Sequence, residues 1–160
     1  MANFILVCGS GWNSEGGVNS PYDVLYHRVN NKMWPIYLNT KNRHNISVDD
    51  ELLFYISGKK KCGGQVVAKA KVYELHKKDS SKIYGNLHDL EEEVSFGENI
   101  LYFITLKNVE FLSKPVTLKD NLDSISFNSK NPQKWGSILQ GGCRSITEED
   151  FFILSGAAPH

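Results

Sequence analysis

Residues 51–73 constrain the architecture more than any other part of the chain. Glu51-Leu52-Leu53-Phe54-Tyr55-Ile56-Ser57 is a short apolar run closed by Gly58, and Gln65 to Tyr73 alternates with period two. Val66, Ala68, Ala70 and Val72 fall on one side of that alternation, and Val67, Lys69, Lys71 and Tyr73 on the other. Successive side chains of a strand point to opposite faces, so the first set is expected to face a core and the second to face outward. Between the runs lies Gly58-Lys59-Lys60-Lys61-Cys62-Gly63-Gly64, whose glycines can turn the chain and whose three cations favour water. This spacing predicts an antiparallel hairpin with a basic tip.

The rest of the chain reads as a sheet with a few helices around it. Phe4 to Cys8 is a short buried strand and Ile100 to Phe111 a longer one. Pro35 disfavours helix at Trp34, so Trp34-Pro35-Ile36-Tyr37 begins an extended stretch. Ser20-Pro21 opens a helix through Tyr22, Leu25, Tyr26 and Val29, stopped by Asn30-Asn31. Asn131-Pro132 repeats that opening, with Trp135, Ile138 and Leu139 on one face and Gly141-Gly142 as the stop. Thr147-Glu148-Glu149-Asp150 resembles a capping box, flanked by Ile146 and Phe151 at the staple positions. His76 to Asn99 is polar and reads as an irregular excursion between strands. The fold class expected is α+β: a small, strongly curved sheet or barrel with peripheral helices, as one domain over residues 1–160.

Composition narrows the function classes. The 18 aromatic residues argue against a disordered chain, and no apolar run approaches the roughly 20 residues that a bilayer requires, so no membrane partner is expected. Cys8, Cys62 and Cys143 are odd in number and widely spaced, which fits reduced thiols in a cytoplasmic compartment. Net charge is zero, yet residues 1–85 hold 12 basic against 7 acidic residues, and residues 86–160 hold 6 against 11. That balance argues against a polyanion binder relying on bulk charge but leaves room for a local basic groove.

Motifs for chemistry are absent. There is no GxSxG, HExxH, GxxxxGK[ST] or paired CxxC, and His27, His44, His76, His88 and His160 stand singly as surface or helix-face residues. Cys8 reads as a small buried hydrophobe. The clusters Asp49-Asp50-Glu51, Glu91-Glu92-Glu93 and Glu148-Glu149-Asp150 read as solvated charge or helix-dipole complements. No catalytic residue, metal site or cofactor is therefore expected. What remains is the placement of Trp12 in Gly9-Ser10-Gly11-Trp12-Asn13-Ser14, of Trp34, and of Trp135. These rings either plug a small core or stack on a planar ligand, as aromatic rings do on unpaired bases.

Four pieces, spread over nearly the whole chain, resemble the EVE domain family of the PUA-like fold, related to YTH and ASCH domains. Phe4 to Asn13 is similar to the family's opening strand and polar loop, and Lys32-Met33-Trp34-Pro35 to its helix-to-strand junction. Ile46 to Gly58, followed by Gly63-Gly64-Gln65-Val66-Val67-Ala68, is similar to its strand pair, with Asp49-Asp50 where the family usually has Gly-Asp. The most specific piece, Trp135 to Phe151, is similar to the terminal pattern W-x-x-x-x-Q-G-x-x-R-x-I-x-x-x-D-F.

The resemblance implies a barrel-like sheet with a pocket for a modified, above all methylated, base of DNA or RNA. It also implies a module working beside a nuclease or a modification enzyme. By the same resemblance Ser10, Trp12, Trp34 and Gln140 line the pocket, with Pro35 and Tyr37 beside Trp34, and Arg144 contacts the backbone; the Lys59, Lys60 and Lys61 tip, at a sheet end, is placed to touch phosphates, and Lys69 and Lys71 on the outer face extend that basic surface. Arg144 has a second reading, as an anchor for the last helix. The alternative function is an ASCH-like hydrolase acting on a modified nucleoside, which requires a lysine and a carboxylate converging in the pocket.

Overall fold

A strand that buries Val66, Ala68, Ala70 and Val72 must also satisfy its backbone on both edges, and the computed structural model shows how this chain does so. Residues 1–9, 11–12, 18–78, 99–127, 139 and 141–156 are described, with the backbone alone at 11–12 and 18–19. The strands are β1 (Asn3–Cys8), β2 (Gly11–Trp12), β3 (Val18–Asn19), β4 (Met33–Tyr37), β5 (Glu51–Ile56), β6 (Gln65–Lys77), β7 (Ile100–Thr117) and β8 (Cys143–Ile146). Among the described residues the α-helices are α1 (Pro21–Asn30) and α2 (Glu148–Leu154), with a short 3-10 turn at Lys119–Asn121.

Six strands form one curled, half-barrel sheet in the order β4-β7-β6-β5-β1-β8, and β2 pairs with β3 separately. β1 and β5 run parallel, while the other neighbours in the large sheet are antiparallel. The expected hairpin is β5–β6, and its register places Lys71 opposite Glu51. β6 differs from the alternation in two ways. A register shift beside Tyr55 turns Val67 inward, where it is 3% exposed, instead of leaving it on the outer face. The strand also continues past Tyr73 to Lys77, so His76 belongs to the sheet rather than to an irregular excursion or the surface. His76 is buried there with its Nε2 3.1 Å from the Thr105 hydroxyl. β7 likewise runs on beyond Phe111 to Thr117.

Each face of the sheet carries its own core. Leu6, Phe54, Ile56, Trp34 and Ile36 pack with Val24, Leu25 and Val29 of α1 on one face. Ile5, Leu53, Tyr55 and Val66 pack with Leu118, Phe127 and Leu154 on the other. Each such side chain, fully buried, contributes about 1.5–3 kcal/mol, so alternation along β1 and β5 stabilises both layers at once.

The caps anticipated by the sequence form. The Ser20 hydroxyl accepts the Asp23 amide at 3.3 Å with Pro21 in the first turn, and Thr147 and Asp150 make a reciprocal capping box. Asp150 is buried rather than solvated. Its carboxylate also accepts the amide and hydroxyl of Ser126 at 2.8 and 2.5 Å, tying the chain after β7 to α2. Asp50 is buried as well, accepting the Ala2 and Ser47 amides at 3.0 and 2.7 Å. The helix expected over 131–139 and Trp135 lie outside the described residues, apart from Leu139. No helix among the described residues is long and apolar enough to cross a membrane.

Candidate functional site

The two edges of the sheet, β4 and β8, approach each other without pairing. Pro35 removes one backbone donor from β4, as suits a strand that ends a sheet. The chain after β4 crosses the gap instead: the Lys41 amide donates to the Gly141 carbonyl at 2.9 Å and Asn42 Nδ2 to the Cys143 carbonyl at 3.3 Å. Gly141 and Gly142 lead into β8 at φ +98° and +79°, a region L side chains avoid, and the Gly142 carbonyl accepts the Val7 amide at 2.9 Å.

Along this seam lies a recess of about 170 Å³ between the end of β1, β4 and the 40–42 crossing. A cavity of about 150 Å³ accommodates a benzene ring, so a single planar heterocycle is within its capacity. Trp34, Pro35 and Tyr37 from β4 line it, facing Cys8, Gly9 and Gly142. Arg28 closes its inner side.

Arg28 is the least expected of these. It falls on the buried stripe Pro21, Val24, Leu25, Arg28 and Val29 of α1 and is only 8% exposed. A cation at an apolar position of an amphipathic helix is a readable sequence signal, yet it was absent from the expected site. Its guanidinium stands 5.5 Å from the Trp34 ring centre, and its Nη2 donates to the Tyr37 hydroxyl at 3.3 Å. Thr40, also buried, accepts the Tyr37 amide on its hydroxyl at 3.1 Å, which fixes the turn beneath Tyr37.

The remaining polar group, Cys8, is held in its neutral form. Burial pushes its thiol up to about 12, against the opposing pull of the Arg28 charge, and the thiol donates towards the Pro21 carbonyl at 3.5 Å. It is not a nucleophile at neutral pH. The described lining thus offers donors and flat apolar surface, with no lysine or carboxylate.

The expected site residues distribute as follows. Trp34, Pro35 and Tyr37 come together at the recess. Trp34 is itself 4% exposed, with its ring packed on Phe54 at 4.9 Å and 50°, so it is both a wall of the recess and part of the core. Ser10, Gln140 and the Trp12 side chain lie outside the described residues, although Gly9 and Gly142 line the recess. Lys59, Lys60 and Lys61 are exposed on the β5–β6 turn. Ser57, at the start of that turn, donates its amide and hydroxyl to the Cys8 carbonyl at 3.1 and 2.9 Å, placing the turn at the recess end of the sheet.

Two expectations change. Lys69 and Lys71 do not extend a basic surface: strand register sets them opposite Glu110 and Glu51, with ion pairs of 3.3 and 3.6 Å. Arg144 faces away from the recess, because it stands opposite Ile5 while its neighbour Cys143 stands opposite Leu6. Its guanidinium lies 5.0 Å from the Phe127 ring centre, in the second core, which favours the anchoring reading. On that second face a wider groove of about 780 Å³ runs between the irregular end of β7 and the end of α2, with Lys69, Glu110, Lys114 and Asp120 on its walls.

Comparisons with known proteins agree with this architecture. The EVE domain family model matches residues 18–157. No curated protein matches the chain. Among solved structures, the N-terminal domain of McrB from Staphylothermus marinus is similar at a TM-score of 0.65 and 8% identity, covering 98% of this chain and 94% of that one. The human THYN1 protein, solved in complex with 5-methylcytosine-containing DNA, gives 0.57 and 15%, covering 100% and 99%. The ASCH protein from Zymomonas mobilis gives 0.57 and 13%, covering 99% and 96%. At these identities the likeness is one of fold.

Proposed function

This chain belongs to the EVE domain family, and we propose that it is a binding module that takes a modified base of a nucleic acid into the seam recess. The observation that carries the reading is a ring-sized hollow with a tryptophan wall and a guanidinium at its back. Arg28 and Tyr37 bring a guanidinium and a phenol to the recess, groups of the kind that meet a base edge with acceptors such as the O2 and N3 of cytosine. Trp34 and Pro35 supply apolar surface for the methyl group that an unmodified base lacks. Ser10 and Gln140 are proposed as rim contacts from their places in the chain beside Gly9 and Gly141, and Trp12 as an opposing ring. DNA is the first candidate, since the similar human THYN1 was solved with methylcytosine-containing DNA. A nuclease or modification enzyme acting on the same nucleic acid is the proposed companion.

The test is calorimetric titration of the full chain with oligonucleotides that differ in one modified base. Burial of one methyl group contributes about 0.8 kcal/mol, so a preference of about fourfold is expected, and Tyr37→Phe should lower affinity for both oligonucleotides while keeping the fold. Equal affinity across methylated and unmethylated forms of every base would overturn the reading. Turnover of modified nucleosides by the purified chain would replace it with the hydrolase.

A further inference from the structure

α1 contributes to the recess through Arg28 on its inner side, and its flank carries Tyr22, half-buried against the first core, and Tyr26, which is exposed. Tyr22 and Tyr26, one turn apart, stack with ring centres 6.1 Å apart and planes within 19°. Tyr26 then meets Phe111 of β7 at 5.3 Å. Tyr26 remains 46% exposed despite having a ring on either side. Helix spacing alone would satisfy an i, i+4 tyrosine pair with aliphatic partners; here the column is extended by a residue more than 80 positions away and capped by a cation. Lys61 Nζ stands 4.1 Å from the Tyr22 ring centre.

The turn that presents Lys61 has a defined shape. Gly58, Cys62 and Gly64 occupy the left-handed region, and a side chain at Gly63 would collide with the Gly58 carbonyl. The Gly63 and Gly64 amides donate to the Lys60 and Ile56 carbonyls at 2.8 and 2.7 Å. Lys59, Lys60 and Lys61 are thereby exposed on the turn, with Lys61 over the half-buried Tyr22 and the exposed Tyr26 next along the column, at the same end of the sheet as the recess. Asp23 is the acidic neighbour on α1, and it is engaged by the Ser20 hydroxyl at 2.9 Å.

We propose that this ladder is a second nucleic-acid contact, on which unpaired nucleotides flanking the captured base stack while their phosphates meet Lys59, Lys60 and Lys61. The proposal rests on the recess reading for the identity of the ligand, but its chemistry is separate. Rings with adjacent cations grip a single strand through flat faces and charge without reading sequence, because every base has a π face. The Lys61 ammonium covers the Tyr22 face in the absence of nucleic acid. A base stacked there would displace it towards the neighbouring phosphate, exchanging an exposed cation–π contact for the stronger combination of stacking and ion pairing. Recognition is thus divided along one helix: α1 discriminates with its inner side and holds with its outer side.

The experiment is fluorescence anisotropy of the full chain with labelled, unmodified oligodeoxythymidylate and with a single strand containing one modified base. The Tyr22→Leu/Tyr26→Leu double variant keeps apolar packing and removes both rings. It should bind both strands roughly tenfold more weakly and leave the ratio between them unchanged. Replacing Lys59, Lys60 and Lys61 by Gln should reduce the slope of log K against log salt by about two, since each phosphate contact on a single strand contributes about 0.7. Photocrosslinking of the unaltered chain to a 5-iodouracil strand requires no variant and should label Tyr22 or Tyr26. Crosslinks elsewhere, or a ring variant within about twofold of the original for oligodeoxythymidylate, would overturn the ladder. A chain that ignores the modification yet loses affinity in the ring variant would sink the recess reading and leave the ladder standing.

Discussion

The seam recess and the groove beside α2 lie on opposite faces of one sheet, and the larger of the two carries its charge nearer to water. The groove beside α2 encloses about 780 Å³, against about 170 Å³ for the recess at the seam. In the groove Lys69 is paired with Glu110, a carboxylate 61% exposed, so that pair is screened by water. In the recess Arg28 is 8% exposed, lies against Trp34 and donates to Tyr37. A charge removed from water interacts far more strongly with whatever enters beside it than a screened surface pair does. Volume measures what fits, and desolvated donors measure what would be held.

Four measurements break or sharpen that contrast. The largest effect is on stability. Trp34→Ala empties a core position as well as a recess wall and should cost about 3–5 kcal/mol in chemical denaturation, whereas Lys114→Ala on the groove should stay within about 0.5 kcal/mol. Comparable losses would mean that the groove is as tightly built as the recess.

Next is the alkaline limb of the stability curve. Burial pushes the thiols of Cys8 and Cys143 and the phenol of Tyr102 up to about 12, from ordinary values of 9.0 for the thiols and 10.0 for the phenol. The folded chain therefore retains protons that the unfolded chain releases. Stability is full below pH 9 and falls as pH rises from 9 towards 12, by roughly a few kcal/mol for each buried thiol and by less for the partly exposed Tyr102, whose charge water screens. A thermal melt series over that range, repeated with Cys8→Ala, isolates the share contributed by the recess. An unchanged slope in that variant would show that Cys8 is not desolvated there.

Third is binding. Arg28→Gln should weaken capture of a strand with a modified base by roughly tenfold to a hundredfold, the range for losing a charged hydrogen bond, while Lys69→Gln changes it by about twofold or less. The reverse ranking would move the site to the groove.

The smallest effect comes from two glycines. Gly142 borders the recess at φ +79° and Gly156 the groove at φ +77°, so alanine at either should cost about 1 kcal/mol, or about 2–4 °C in Tm. The two melts should match, and only Gly142→Ala should also change binding.

Much of the sheet was legible because its signals are local. The alternation over Gln65–Tyr73, the glycines around Lys59–Lys61 and the Ser20 and Thr147 caps each act within a few residues, and each corresponds to an observed element. β8 was not anticipated: four residues, Cys-Arg-Ser-Ile, are too few to display a period, and Gly141-Gly142 read as a helix stop. The extension of β6 was hidden because His76 is polar, and its buried ring meets the Thr105 hydroxyl on a strand 29 residues away.

The candidate site divides the same way. Trp34, Pro35 and Tyr37 lie within four residues of one strand, so the sequence by itself brought them together, as it marked the longer strands, the caps and the basic turn. Only the tertiary structure decided that Arg28, Cys8 and Gly142 would meet them, that Lys69 would spend its charge on Glu110, and that Arg144 would face Phe127. Propensity and alternation depend on neighbours along the chain. A seam depends on how far a six-stranded sheet curls and on the register of strands more than a hundred residues apart, and no local pattern encodes either.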